Sequence, residues 1–199
     1  MSLKIQKVAV LGSGVMGAQI AAHIANTKIP VLLFDLNQNI VEKGLDFCTK
    51  LKPKPFYNKN NIKLITPLNY NDHLNKLKEC EWIIEVIAEK LEWKKELYQK
   101  IIPYVSSNAI LSTNTSGIKL EDLMVGLPEN IAKRFCLTHF FNPPRYLQLV
   151  EVVAGSQTQL DVIETITKIL ENNLGKGVVI AKDNPCLLYT SDSEDEVEG

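Results

Sequence analysis

The stretch VAVLGSGVMGAQIA, residues 8–21, runs from an apolar strand-like segment through three glycines into an alanine-rich helical segment. Gly12, Gly14 and Gly17 fall at GxGxxG spacing, and each has its own physical reason. Gly12 permits the tight turn out of the strand. Gly14 lets the backbone come close to a pyrophosphate, and Gly17 lets the helix pack against the strand. Val15 and Met16 open the helix, whose free N–H groups and positive dipole end favour phosphate. Further on, VLLFD ends the next strand with Asp35. A carboxylate there accepts hydrogen bonds from adenosine ribose hydroxyls and repels a 2′-phosphate, which favours NAD over NADP. The plain alternative is a simple glycine turn, with Asp35 capping the following helix. Strand, glycines, helix, second strand and acid in this order weigh against it. No Lys-Ser/Thr pair follows the glycines, so a phosphate-loop NTPase is excluded.

Outward from this stretch, apolar runs of strand length alternate with amphipathic helical segments. Strands are predicted near 6–11, 30–34, 62–65, 82–88, 109–112, 134–138 and 147–153. Helices are predicted near 15–27, 38–51, 71–79, 91–102, 119–125 and 157–173. The alternation implies an α/β chain, doubly wound around a mostly parallel sheet. Ligands of such sheets bind beyond the carboxyl ends of the strands. Glu89, Asn114, Thr115, Ser116, His139 and Asn142 follow strands and are expected on that rim. Two bland readings stay open: STNTSG as an ordinary turn, and Glu89 with Lys94 as a solvated helix start. THFFNPPRYLQLVEVV, residues 138–153, divides into two strands and a turn, which brings Glu151 back behind His139. A carboxylate behind an imidazole fixes its tautomer and supports its protonated form.

The 199 residues, 45% apolar, suffice for one core and an appendage. Net charge is −1, but five acids crowd the last eight residues, leaving about +4 on the rest. That balance gives no general basic surface for nucleic acid or an anionic membrane. The four cysteines show no CxxC and no metal-ligand spacing, so reduced thiols and no metal are expected. MSLKIQKVAVL enters a strand at once, leaving no room for a signal peptide, and no apolar run is long enough to cross a bilayer. A cytoplasmic protein is expected.

Five segments resemble the NAD-binding domain of 3-hydroxyacyl-CoA dehydrogenases: GSGVMGAQIA, WIIEVIAEKLEWKKELYQKI, STNTSGI, HFFNPPRYLQLVEVV and LGKGVVIAKDNP. The resemblance runs in order over about residues 5–185. KLKPKPFYNKNNIKLITP resembles a branch often fused to enoyl-CoA hydratase. The resemblance implies a Rossmann-type fold, with Gly12, Gly14, Val15, Met16, Gly17 and Asp35 at the cofactor. It implies His139 as the catalytic base, Glu151 as its partner, Ser116 at the substrate oxygen and Asn142 beside it. Glu89 and Lys94 match active-site and cofactor-side residues, and Asn114 falls beside the nicotinamide. Gly117 stands where many relatives have a second Ser. The implied activity is NAD-dependent oxidation of 3-hydroxyacyl-CoA to 3-oxoacyl-CoA, a step of fatty acid β-oxidation. The alternatives are a non-catalytic NAD-binding fragment and a related gulonate or hydroxy-acid dehydrogenase. Lys50, Lys52, Lys54 and Lys59 read better as a solvated loop than as a site for CoA phosphates. Relatives continue into a C-terminal helical domain of roughly a hundred residues, which helps close the acyl-CoA site and forms a homodimer. Here CLLYTSDSEDEVEG follows Pro185 and matches nothing in the family. The expected division is therefore 1–185 as the NAD-binding domain and 186–199 as an unrelated, disordered tail on a truncated chain.

Overall fold

The structure, a computed structural model, describes residues 3–182. The strands are β1 (Val8–Leu11), β2 (Val31–Asp35), β3 (Ile65–Asn69), β4 (Trp82–Glu85), β5 (Ile110–Thr113), β6 (Phe135–Phe140), β7 (Leu149–Ala154) and β8 (Gly177–Ala181). The helices are α1 (Val15–Asn26), α2 (Gln38–Lys50), α3 (Leu91–Ile101), α4 (Leu120–Met124), α5 (Glu129–Ala132) and α6 (Leu160–Asn172). All eight strands form one sheet in the order β3-β2-β1-β4-β5-β6-β7-β8. The first six run parallel; β7 is antiparallel to β6, and β8 is parallel to β7.

Alternation of side chains explains why the central strands are apolar throughout. In β1, Val8 and Val10 join a core with Ile20, Ile24, Val41 and Ile166, from α1, α2 and α6. Ala9 and Leu11 face the opposite layer with Leu97, Tyr98, Ile101 and Leu123, from α3 and α4. Both faces of the sheet are thus covered, and the parallel strands send their carboxyl ends to one rim.

The structure departs from the sequence expectations in several places. The third strand lies at 65–69, because 59–64 forms a 3-10 turn capped by Asn58, whose side chain accepts from Asn60 N at 2.8 Å. Pro67 is accommodated because β3 is an edge strand. The helix expected over 71–79 is a 3-10 turn over Leu74–Glu79. Strand β4 stops at Glu85 rather than 88, since the Glu85 carboxylate takes the Ile87 N–H at 2.7 Å and turns the chain off the ladder. Finally, α5 and β8 were not foreseen from the sequence. The tail at 186–199, expected to be disordered, lies outside the described residues. Among the described residues no helix is long and apolar enough to cross a membrane.

Candidate active site

The glycine turn is built by close approach. Gly12 has φ +108°, and a Cβ there would stand 2.6 Å from the Val86 carbonyl oxygen. A Cβ on Gly17 would stand 1.9 Å from the Gly12 oxygen, so only glycine lets α1 seat against the turn. Gly14 differs: its Cβ position has no atom within 4 Å. Helix α1 starts there with no side chain capping it, leaving first-turn amides for an anion. At the end of β2, Asp35 Oδ2 accepts from Ser13 N at 2.7 Å and Ser13 Oγ at 2.6 Å, and Oδ1 accepts from Leu36 N at 2.8 Å. The acid is thus locked to the glycine turn. Open space at Gly14, uncapped amides and a fixed acid fit a dinucleotide. A fourth glycine, Gly44, escaped the sequence reading; its Cβ would meet Ser13 O at 2.2 Å, which is why α2 can cross the turn.

From Gly14, Val15 and Met16 a cleft of about 530 Å³ extends to Glu89, Asn114, Ser116, His139 and Asn142. Val86, Ile87, Ala88, Phe140 and Phe141 complete its lining and were not singled out from the sequence. Gly12, Gly17, Asp35, Lys94 and Glu151 stand outside the lining. His139 lies within β6 rather than beyond it, and is register partner of Glu151 on β7. Its Nδ1 is 3.0 Å from Glu151 Oε2. A carboxylate oxygen accepts, so Nδ1 carries the proton and Nε2 is the nitrogen left with a lone pair for the cleft. Asn114 Oδ1 accepts from Phe140 N at 2.9 Å, and Asn142 Oδ1 accepts from Gln19 Nε2 at 3.1 Å.

Glu89 organises the turn that carries Ser116. Its Oε1 accepts from the Thr115 hydroxyl, from Ser116 N at 2.9 Å and from Gly117 N at 2.8 Å. Burial works to raise the Glu89 pKa. The Thr115 hydroxyl, the Gly117 and Ser116 amides and the Lys94 ammonium outweigh it and hold the carboxyl below its usual 4.5. Lys94 is no solvated helix-start lysine: its side chain is 1% exposed, and Nζ lies 2.7 Å from Glu85 Oε1 and 3.6 Å from Glu89 Oε2. Glu85, missed in the sequence, also accepts from Tyr98 Oη at 2.8 Å and Thr113 Oγ1 at 2.7 Å. The available signal was a Glu inside an otherwise apolar strand, since a buried carboxylate needs partners. Among the described residues no group of three or more His, Cys, Asp or Glu side chains is placed to hold a metal ion.

Sheet order, glycine turn, locked acid and a cleft ending at an imidazole together define a dinucleotide-binding domain of the dehydrogenase type. Residues 7–184 match the family described as 3-hydroxyacyl-CoA dehydrogenase, NAD binding domain, and the chain belongs to that family. A probable 3-hydroxyacyl-CoA dehydrogenase of Deinococcus radiodurans is 43% identical over 190 residues, covering 92% of this chain and 55% of that protein. A putative fatty acid oxidation complex trifunctional enzyme of Rickettsia felis is 43% identical over 192 residues, covering 93% of this chain and 27% of that protein. Among solved structures, 3-hydroxybutyryl-CoA dehydrogenase from Escherichia coli K12 superposes with a TM-score of 0.81 at 30% identity, over 92% of this chain and 39% of that one. The chain therefore spans about half, or less, of the length of these relatives. NAD is the cofactor of the family, and the residues at Gly14 and Asp35 suit it.

Proposed function

We infer that this domain carries the cofactor cleft and the proton-transfer pair of an NAD-dependent 3-hydroxyacyl-CoA dehydrogenase. The observation that carries the reading is His139, held by Glu151 at 3.0 Å, lining one cleft with Gly14, Val15 and Met16 at the start of α1. Bound NAD supplies the hydride acceptor at its nicotinamide ring. His139 Nε2 takes the proton from the C3 hydroxyl as a general base. Glu151 holds the ring in that tautomer and stabilises the imidazolium that forms. Ser116 hydrogen-bonds the C3 oxygen and steadies charge developing there, with Asn142 alongside. Glu89 keeps Ser116 in place through the 115–117 turn, and Asn114 stands on the nicotinamide side. Gly12, Gly14, Val15, Met16, Gly17 and Asp35 would hold the dinucleotide, and Lys94, buried against Glu85 and Glu89, supports the cleft through Glu89 rather than by facing the cofactor.

In this reading residues 1–185 are the NAD-binding domain and 186–199 stand apart from it; the family match over 7–184 supports that division. The substrate is a 3-hydroxyacyl-CoA, the setting cytoplasmic fatty acid β-oxidation, and the partner of a longer parent chain a second copy of itself. A second reading is NAD binding without turnover, for which the glycine turn and the fixed Asp35 would suffice. Fluorescence titration with NADH, followed by an acetoacetyl-CoA-dependent NADH oxidation assay, separates the two. Binding with acetoacetyl-CoA-dependent oxidation, and none with free keto acids, supports the dehydrogenase. Binding with no oxidation supports the second reading. Oxidation by free keto acids as fast as by acetoacetyl-CoA overturns the acyl-CoA assignment.

A further inference from the structure

Gln19 is a buried polar side chain of α1, 5% exposed, on the same helical stripe as the buried His23 and Asn26. Its Nε2 donates to Val15 O at 3.0 Å and to Asn142 Oδ1 at 3.1 Å. A backbone carbonyl can only accept, so the Val15 contact settles which end of the Gln19 amide points this way. The same NH2 group then meets Asn142, which must present its oxygen. With Oδ1 taken, the groups that Asn142 retains for the cleft it lines are its two N–H donors. Asn114 is fixed by the same logic from the other side, because the Phe140 N–H can only donate to its Oδ1. Both amides near His139 are therefore oriented oxygen-inward, and each keeps its NH2 for a ligand.

We propose that Gln19 is a positioning residue: it ties the first turn of the cofactor helix to the turn after His139 and sets Asn142 as a donor into the cleft, where the dinucleotide and the C3 oxygen meet. The inference rests on the dehydrogenase reading for the identity of the ligand, but not for the tie itself. Val15 belongs to the anion-binding start of α1, and Asn142 follows the His139 strand by two residues. One side chain thus joins the two walls of the cleft, and 123 residues of sequence separate it from Asn142. Among the described residues no backbone hydrogen bond joins the two walls at this point, so the amide is a direct tie between them in addition to the sheet below.

The test uses the whole chain with Gln19→Leu and Gln19→Glu. Leucine keeps the bulk and removes every donor. Ionised glutamate keeps the shape but only accepts, so it draws the Asn142 NH2 inward and repels Val15 O. Side-chain amide signals in a proton–nitrogen NMR spectrum, assigned through Asn142→Asp, report the tie without any turnover. We expect the Asn142 signals to move in both variants, and NADH affinity by fluorescence to fall about tenfold, the equivalent of one hydrogen bond. Thermal melting of the glutamate variant controls for loss of fold. Asn142 signals unmoved in either folded variant, or NADH affinity unchanged in both, would overturn the proposal. Absence of acetoacetyl-CoA turnover in the parent chain would count against the dehydrogenase reading and leave the NMR result standing on its own.

Discussion

Two pairs of a carboxylate with a nitrogen base, one between β4 and α3 and one between β6 and β7, differ in what they leave unpaired. Glu85 and Lys94 have side chains 0% and 1% exposed, and the Glu85 oxygens are saturated by Ile87 N–H, Lys94, Tyr98 and Thr113. His139 and Glu151 have side chains 8% and 18% exposed, and the pairing consumes Nδ1 while Nε2 stays available to the cleft. A saturated, buried pair is a frame: it pins the 85–87 corner and, through Lys94 and Glu89, steadies the Ser116 turn. A pair that leaves one lone pair unspent on the cleft side is equipped for proton transfer. Burial alone does not separate the two; the count of donors and acceptors left over does.

The comparison can be broken most severely at His139. His139→Gln removes the base, and acetoacetyl-CoA-dependent NADH oxidation is expected to fall by about 10²–10⁴-fold, with NADH affinity kept in the same titration. At the frame pair the effect goes to stability instead. Glu85→Ala strands a buried ammonium and is expected to cost about 3–5 kcal/mol in denaturant unfolding, most of it recovered when Lys94→Met is added. A third buried base sharpens the contrast because it has no carboxylate partner among the described residues and does not line the cleft. His23 is 1% exposed, its Nε2 lies 3.2 Å from Leu174 O, and its Nδ1 has no hydrogen-bond partner. Burial, then the nearby Lys176 and Arg145 charges, push its pKa from 6.5 down to about 4 against the pull of the Leu174 carbonyl. The unfolded chain takes up that proton first, so the stability tied to a neutral His23 is complete above pH 6.5 and declines as pH falls toward 4. At about 1.4 kcal/mol per pH unit the loss is roughly 3 kcal/mol. Unfolding curves across that window should show it, and His23→Leu should flatten that part of the profile. Smallest is Glu151→Gln. Losing one charge-assisted hydrogen bond of about 1.5–3 kcal/mol lowers turnover roughly 10–100-fold, and unfolding should barely change.

The parts legible in the sequence were those with a local signature. Glycine spacing, apolar runs and an acid ending VLLFD gave the parallel sheet and its rim. The return of Glu151 to His139 was legible because an apolar run on each side of NPPR demands two paired strands. What escaped depends on distant partners. Three of the four donors to Glu85, from Lys94, Tyr98 and Thr113, lie outside WIIEVIA, so that segment does not reveal the buried cluster around it. Gln19 meets Asn142 only after the sheet has folded. Strand β8 was missed because it is a short edge element with exposed residues, such as Val179 and Ile180, that carries little burial pattern. The 3-10 turn at 59–64 displaced β3 because Asn58 caps it, a contest between turn and strand that apolar periodicity does not register.

The central claim is that the cleft joining the glycine turn to His139 brings NAD and the C3 position of an acyl-CoA together for hydride transfer. Incubating stoichiometric chain with acetoacetyl-CoA and NADH deuterated at the transferable C4 position, and weighing the product by mass spectrometry, tests it most directly. The account predicts 3-hydroxybutyryl-CoA one mass unit heavier in the wild-type chain and none above background in His139→Gln. Bound NADH with no label in the product, or equal labelling in both proteins, would contradict it.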